Sequence, residues 1–277
     1  MADYSPSKLT TYMDCPLKYR FNYIDHIEKP DSIEPFVGTL VHATLREVVD
    51  VRRRDDKELG FDDAALIFER IWNEEWKDDI VIRKEYLTPE DYKQQGLEYL
   101  RKFFQMEESR DHWEVVALEK GCGFDISPTG FTMGGYMDRV ERKGNSFRII
   151  DYKCTDYVMS QDKADKDHQL GIYEIALRQQ YPEAEEVVLE WYILGAGEVA
   201  SSSRTAEQRE ELKCEIVRMV QAIEADTEYP PLGNRWCPCE YAEECEAEKE
   251  LRAIRAAEAD RDVAEPRGNL HRKAGKG

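Results

Sequence analysis

The stretch GYMDRVERKGNSFRIIDYKC, residues 135–154, holds the side chains of this chain that are best suited to catalysis. Two β-rich segments flank the turn signal Lys143-Gly144-Asn145, so the stretch predicts a hairpin. Side chains alternate between the two faces of a strand, which puts Asp151 and Lys153 on the same face. Asp138 lies on the facing segment. Carboxylates and a lysine that converge at the end of an apolar hairpin need a partner or a metal, because an unpaired charge is costly there.

The predicted donor set favours a hard divalent cation, because Mg²⁺ and Mn²⁺ prefer carboxylate oxygens as ligands. His42 lies at the margin of an apolar helical stripe. A single histidine in such a position is more often a core or boundary residue than a metal ligand. Residue types alone therefore predict a cation site at Asp138 and Asp151, and leave His42 open between the two roles.

Composition points to a globular protein without membrane attachment. The 277 residues suit one large domain or a domain with an elaborated helical part. No apolar run is long enough for a transmembrane helix, and the N-terminus MADYSPSKLT has no signal-peptide pattern. We therefore expect a cytoplasmic protein whose seven cysteines are ligands or buried thiols rather than disulfides.

The charge of the chain counts against an ordinary nucleic-acid-binding protein. Its formal net charge is −19, whereas phosphate contacts need lysine and arginine. The sequence also contains no G-x-x-x-x-G-K-[ST] phosphate-binding loop. Any unwinding of a duplex would therefore come from a partner chain.

Apolar spacing divides the chain into a helical part over about 1–110 and a strand-rich core over about 111–228. Cys15-Pro16 interrupts the first helix, and Thr88-Pro89 begins a later one. The core contains three consecutive strands joined by short turns, a polar loop over residues 155–165, an amphipathic helix and a fourth strand. This order predicts an α/β core with helices before and after it.

A cysteine cluster near the C-terminus is a strong metal signal in an intracellular chain, because three cysteines fall within nine residues: Cys237, Cys239 and Cys245. A site with four thiolates needs a distant partner, and Cys15 is the candidate. The alternative is a partial zinc knuckle or plain thiols. The other three cysteines lie in strand or helix patterns and are predicted to be buried thiols: Cys122, Cys154 and Cys214.

Six features, in this order, resemble RecB-like nucleases of the PD-(D/E)XK superfamily: SPSKLTTYMDCPLKYRFNYI, GTLVHATLREVV, GYMDRVER, IIDYKC, HQLGIY and the terminal cysteines. These nucleases include the AddB and CRISPR-associated exonuclease branches that carry an iron–sulfur cluster. The resemblance implies a restriction-endonuclease-like α/β core, in which helices flank a central mixed sheet. It implies one nuclease domain over residues 1–262, with a cluster-binding segment at about 229–250. Residues 263–277 lack periodicity and are predicted to be disordered.

The resemblance also implies roles for individual residues at the catalytic centre. According to the resemblance, a catalytic Mg²⁺ or Mn²⁺ is bound by His42, Asp138, Asp151 and the backbone carbonyl of Tyr152. Lys153 orients the attacking water or helps to deprotonate it. Burial beside a cation is expected to lower the pKa of Lys153.

Two further sets of residues follow from the same resemblance. Gln169 and Tyr173 match the family's Gln-x-x-x-Tyr motif, which lines the DNA strand; without it, the pair would be an ordinary helix surface. A [4Fe–4S] cluster would be the favoured cofactor of the terminal cysteines, with zinc the less favoured occupant, and its ligands would be Cys15, Cys237, Cys239 and Cys245. The family usually has Cys-x-x-Cys where this chain has Cys-x-Cys at 237–239.

The sequence therefore predicts a metal-dependent DNA nuclease, an exonuclease that acts on single-stranded ends. Its partner would be a helicase or another recombination or adaptation protein. The setting would be DNA repair, recombination, phage DNA processing or CRISPR adaptation. Two alternatives stay open: a catalytically silent module of the same fold that binds DNA or a protein, and a zinc-stabilised protein with another activity.

Overall fold

A computed structural model describes residues 2–232, 240–241, 243–245 and 249. Its helices within these ranges include none that is both long and apolar enough to cross a membrane. The chain separates into two compact units, the first made of residues 1–10 and 29–226, the second of residues 11–28 and 227–277. The expected single nuclease domain over residues 1–262 stays a prediction, and the expected disordered tail lies outside the described residues.

Five helices precede the sheet, as the apolar spacing predicts: α1 (Pro6–Asp14), α2 (Pro16–Tyr23), α3 (Ile33–Asp55), α4 (Phe61–Glu75) and α5 (Pro89–Glu107). Cys15 is extended, with φ −168° and ψ 113°, which ends α1 and lets Pro16 begin α2. Thr88 caps α5, because its backbone N–H donates to Asp91 Oδ2 at 2.7 Å while Asp91 N–H donates back to Thr88 Oγ1 at 3.3 Å.

The sheet has five strands in the order β1-β2-β3-β4-β5: β1 (Glu114–Ile126), β2 (Phe131–Lys143), β3 (Ser146–Lys153), β4 (Glu186–Ile193) and β5 (Glu198–Ser202). All neighbours are antiparallel except β3 and β4, which are parallel. The sheet is thus mixed, as expected. Gly144 adopts φ 64° in the turn between β2 and β3, where a side chain would be strained. Strand β5 was not expected, because its sequence EVASS shows no apolar alternation.

Three helices complete the described core: α6 (Gln161–Lys166), α7 (His168–Gln180) and α8 (Ala206–Ala225). Helix α6 corrects the expected polar loop, since Ser160 Oγ accepts a hydrogen bond from Lys163 N–H and caps a helical turn there. Helix α7 was expected to be amphipathic, yet its residues from Leu170 to Leu177 are all buried. This stretch packs against strands on one side and α8 on the other, so it leaves no face for solvent.

The sheet divides the first unit into two layers. Ile150 and Tyr152 of β3 belong to the apolar core formed with α3, α4 and α5. Phe147 points to the opposite face and packs on Tyr181 at the end of α7, with ring centroids 4.9 Å apart. Alternate residues of β3 are therefore fixed from both sides, which holds its C-terminal end firmly in place.

The second unit joins α2 to a segment near the C-terminus. The rings of Tyr19 and Tyr229 stack with centroids 6.3 Å apart, and Lys18 Nζ lies 3.0 Å from Glu240 Oε1. Cys15 and Cys245 both belong to this unit and are half-buried.

Candidate active site

The carboxylate of Asp138 lies where β2 and β3 separate. The described ladder between these strands ends at the pair Arg139 and Ile150, so Asp138 and Asp151 come next, opposite one another. Beyond that pair, Asp138 Oδ2 accepts a hydrogen bond from the backbone N–H of Tyr152 at 2.9 Å. A side-chain carboxylate thus replaces a strand carbonyl, which fixes Asp138 beside the Tyr152 peptide.

His42 of α3 reaches the same peptide from the other layer. Its Nε2 lies 2.9 Å from the carbonyl oxygen of Tyr152, and its Nδ1 lies 3.4 Å from Asp138 Oδ2. Burial opposes the charged form of the imidazole, but the hydrogen bond and charge of Asp138 raise the pKa of His42 overall. The structure therefore brings together the four groups expected to bind a metal: His42, Asp138, Asp151 and the Tyr152 carbonyl.

Asp151 is the most deeply buried carboxylate of the site, with 3% of its surface exposed. Burial raises the pKa of Asp151 to about 6, although the nearby charge of Lys153 works in the opposite direction. Its buried Oδ2 faces Lys153 Nζ at 2.7 Å, and this one contact leaves other electron pairs of the oxygen unused. This oxygen therefore keeps electron pairs available for a cation.

Lys153 and Gln169 form a short network with Asp151. Lys153 Nζ donates to Gln169 Oε1 at 2.7 Å, and Gln169 Nε2 donates to Asp151 Oδ1 at 2.7 Å. Gln169 Nε2 also lies 3.4 Å from the hydroxyl of Tyr173, one turn further along α7. Gln169 thus contacts the carboxylate and lysine of β3 directly, and Tyr173 lies beside Gln169, so the two do not lie on an ordinary helix surface.

Burial and the nearby carboxylates act on the pKa of Lys153 in opposite directions. Burial lowers the pKa of this ammonium, but the charge and hydrogen bond of Asp151, with smaller effects from Asp167 and Asp138, raise it overall. The carboxylates thus outweigh burial among the protein groups, and the expected lowering beside a cation stays a prediction.

Glu119 is a candidate ligand that the sequence analysis missed. Its neighbours Leu118 and Lys120 pair with Arg139 and Met137, so the ladder sets Glu119 against Asp138. Three ligand atoms lie within 4.8 Å of one another and could hold a cation; they come from His42, Glu119 and Asp138. Burial, followed by the charge of Asp138, raises the pKa of Glu119.

The backbone of Glu119 is also unusual, with φ 44°, a left-handed conformation that few residues other than glycine adopt. Such conformations often mark functional positions. The signal that could have revealed Glu119 is the register between β1 and β2, which the turn sequence alone does not give.

Arg139 anchors the strand directly behind Asp138. Its side chain is 1% exposed and lies on the face opposite Asp138. Both terminal nitrogens of its guanidinium lie 3.1 Å from Glu107 Oε2 of α5, and the group also contacts Glu141. Arg110 joins the same cluster at 3.1 Å from Glu107 and from Glu141. These buried ion pairs fix the position of β2 against α5.

The residues that the sequence predicted for the catalytic centre share one cleft of about 790 Å³. The N-terminal residues Ala2 to Lys8, the glycines at the far end of the β1–β2 hairpin and the start of α7 form its walls. The predicted site residues that line it are His42, Asp138, Asp151, Tyr152, Lys153, Gln169 and Tyr173.

Cys122 alone among the described cysteines lines this cleft. Cys15 and Cys245 lie in the second unit, and Cys237 and Cys239 lie outside the described residues. Cys122 and Cys154 are half-buried, and burial raises their pKa values to about 11 and about 12, so both thiols stay protonated at neutral pH. Cys214 was predicted to be a buried thiol, and this prediction is wrong: the residue is exposed and lies on the solvent side of α8.

The family of the chain follows from its sequence match. A model of the PD-(D/E)XK nuclease superfamily matches residues 3–246. The chain therefore belongs to the PD-(D/E)XK nuclease superfamily, in agreement with its mixed five-stranded sheet flanked by helices.

Two relatives and one solved structure are similar to this chain. One relative, a component of the ATP-dependent helicase/deoxyribonuclease of Carboxydothermus hydrogenoformans, is 25% identical over 181 residues, which cover 57% of this chain but 17% of that protein. The Gene 69 protein of Mycobacterium phage D29 is 26% identical over 202 residues, 64% of this chain and 69% of that protein. A crystal structure of a provisionally described exonuclease from Eubacterium rectale covers 86% of both chains with a TM-score of 0.49 and 13% identity.

Proposed function

We propose that this protein is a metal-dependent DNA nuclease that hydrolyses phosphodiester bonds, and that it acts as an exonuclease on single-stranded ends with Mg²⁺ or Mn²⁺. The observation that carries the proposal is the meeting of His42, Asp138, Asp151 and Lys153 around the Tyr152 peptide in one cleft. Membership of a nuclease superfamily supports the same reaction class.

The donor set suits the proposed cation. Asp138 and Asp151 supply carboxylate oxygens, Tyr152 supplies a carbonyl oxygen and His42 supplies an imidazole nitrogen, which together suit Mn²⁺ or Mg²⁺ better than a thiolate-bound metal. The buried Oδ2 of Asp151, which faces Lys153 and keeps electron pairs for a cation, fits the same role. When bound, such a cation polarises a phosphoryl oxygen and promotes ionisation of water.

Lys153 is well placed to supply a positive charge to the reacting phosphate. Its ammonium has three N–H donors, and the contacts to Asp151 and Gln169 account for two. Among the described residues, the third donor remains for a phosphoryl oxygen or for the attacking water. Gln169 holds both the lysine and the carboxylate, so it acts as a positioning residue for the pair.

We also propose that the second unit binds a [4Fe–4S] cluster. Cys15 and Cys245 lie in one compact unit and are half-buried, as ligands from distant parts of the chain would be. Iron and acid-labile sulfide measured in the purified protein distinguish this cluster from zinc, and Cys15→Ser should lower both. A zinc-loaded, iron-free protein, or a variant with full iron content, would contradict the cluster.

A partner chain would deliver the strand. The helicase/deoxyribonuclease to which the similar component belongs is named as ATP-dependent. The sequence of this chain has no G-x-x-x-x-G-K-[ST] loop for binding ATP. We therefore propose a helicase or another recombination or adaptation protein as partner. The setting would be DNA repair, recombination, phage DNA processing or CRISPR adaptation.

The test is cleavage of end-labelled linear single-stranded DNA with Mn²⁺, compared with a closed circular single strand. Wild-type protein should degrade the linear strand only, and Lys153→Ala should lose about a hundredfold or more in rate. Lys163→Ala, an exposed lysine of α6, is the matched control. Cleavage of the circle would show an endonuclease, and equal rates in Lys153→Ala would refute the assignment of the site.

A further inference from the structure

The β1–β2 hairpin continues beyond the metal-binding groups, and one of its faces is almost bare of side chains. Gly121 pairs with Tyr136, and Gly123 pairs with Gly134. Residues directly opposite in an antiparallel pair share a face, as do residues two apart on one strand. These four positions therefore form one patch in which Tyr136 supplies the single side chain, and the side chain of Ala2 lies over the Gly134 end of it.

Tyr136 lies open to solvent on this glycine patch. Its side chain is 67% exposed, and a Cβ built on Gly121 would meet Tyr136 Cε1 at 3.6 Å, so the ring lies beside the bare backbone of β1. Tyr136 and all three glycines line the same cleft as the metal-binding groups. Asp138 follows two residues later on β2, about 7 Å along the strand at about 3.4 Å per residue.

A single exposed aromatic residue is ordinary on a protein surface. Tyr136 differs because its ring lies beside Gly121, and because it lines the cleft that holds Asp138, Asp151 and Lys153. Any side chain at Gly121 would occupy the space next to the ring. The hairpin thus leaves room for a flat group to lie against Tyr136 while the rest of that ligand reaches Asp138.

We propose that Tyr136, with the glycine patch of Gly121, Gly123 and Gly134, is a nucleobase-binding subsite, in which a base of a single-stranded nucleic acid stacks on the ring while its backbone crosses the Asp138/Asp151 centre. This subsite rests on the proposed nuclease function. Stacking tolerates any base, because every base has an aromatic face. A paired base would first have to leave its duplex, so the subsite favours single strands.

The charge of the chain adds a second reason. With a net charge of −19, the protein repels a polyanion overall, which makes phosphate contacts a weak source of affinity. The described cleft lining contains two lysines, Lys8 and Lys153, and Lys8 Nζ already donates to the backbone carbonyl of Asp3 at 2.7 Å. Stacking on Tyr136 supplies affinity that does not depend on charge.

The test measures binding of a fluorescent thymidine oligonucleotide in EDTA, where a metal-dependent nuclease does not turn over. Tyr136→Ala should weaken binding about 5- to 150-fold, the effect of losing one stacked base. Tyr136→Phe keeps the ring and should bind as wild type does. Tyr86→Ala removes an exposed tyrosine that is 80% exposed and lies outside the cleft lining, so it is the matched control.

A matched oligonucleotide series in which one position at a time is abasic separates stacking from a general effect on the fold. For one abasic position, the affinity of the wild-type protein should fall by the same factor that Tyr136→Ala costs on the intact oligonucleotide. Tyr136→Ala should bind the intact oligonucleotide and that abasic one equally well. Equal binding by Tyr136→Ala and Tyr86→Ala would overturn the subsite. The subsite would also be overturned if Tyr136→Ala lost the same affinity on every oligonucleotide of the series, or if wild-type protein did not bind the oligonucleotide at all.

The proposed nuclease function fails differently. It fails if wild-type protein leaves the same unmodified oligonucleotide uncut with Mn²⁺, whatever the binding result. Base-dependent binding through Tyr136 without cleavage would therefore support the subsite and refute the catalytic proposal.

Discussion

Replacement of Arg139 by methionine should destabilise the protein strongly, because it leaves buried carboxylates without a partner. Arg139 is 1% exposed, and its guanidinium contacts Glu107 and Glu141, which are 7% and 0% exposed. Removal of one partner from a buried ion pair costs about 3–5 kcal/mol. Arg110 still lies 3.1 Å from each of the two carboxylates, so we expect the lower end of that range, about 3 kcal/mol.

Thermal and urea unfolding measure this loss. For a chain of this size, 1 kcal/mol shifts Tm by about 2–4 °C, so Arg139→Met should lower Tm by about 6–12 °C. The control lies on the same strand: Lys143 pairs with Asp111 at 2.8 Å, and the two side chains are 63% and 62% exposed. Lys143→Ala should leave Tm almost unchanged, because exposed pairs contribute little. A Tm of Arg139→Met within about 2 °C of the wild-type value would refute the account of the cluster.

Two further substitutions test how the site is built. Gly135→Ala places a Cβ 2.7 Å from Tyr173 Cε1, and we expect it to lower the free energy of unfolding in urea by about 1–3 kcal/mol. In the control Gly38→Ala the nearest atom lies 3.9 Å from the new Cβ, so stability should not fall. Equal stabilities of the two variants would contradict the close packing at Gly135. Glu119→Gln should weaken Mn²⁺ binding about tenfold or more in calorimetric titration, while Glu198→Gln on β5 should not change it. Unchanged affinity in Glu119→Gln would exclude Glu119 as a ligand.

The local parts of the site could be predicted from the sequence. Turn residues and strand alternation indicated the hairpin and the shared face of Asp151 and Lys153, because both depend on neighbours in the chain. Helix boundaries at Cys15-Pro16 and Thr88-Pro89 followed from proline and capping chemistry in the same way.

The non-local parts could not be derived from spacing. His42 meets the Tyr152 carbonyl across 110 residues, and Gln169 bonds to Asp151 across 18, so only the family resemblance brought them into the site. Glu119 was missed by both routes, because its place depends on the register of β1 against β2 and on a left-handed backbone. Burial of α7 on all sides likewise arises from packing, which its own periodicity does not reveal.

The most direct test of the central claim is the Asp151→Asn variant in Mn²⁺-dependent cleavage of end-labelled single-stranded DNA. Asparagine keeps the shape of the side chain and an oxygen that can accept from Gln169, but it removes the charge proposed to hold the cation. We predict a fall in rate of about a hundredfold or more, with Tm close to that of wild type. Asp162→Asn, on an exposed carboxylate of α6, should cleave at the wild-type rate. An Asp151→Asn protein that cleaves as fast as wild type would contradict the proposed active site.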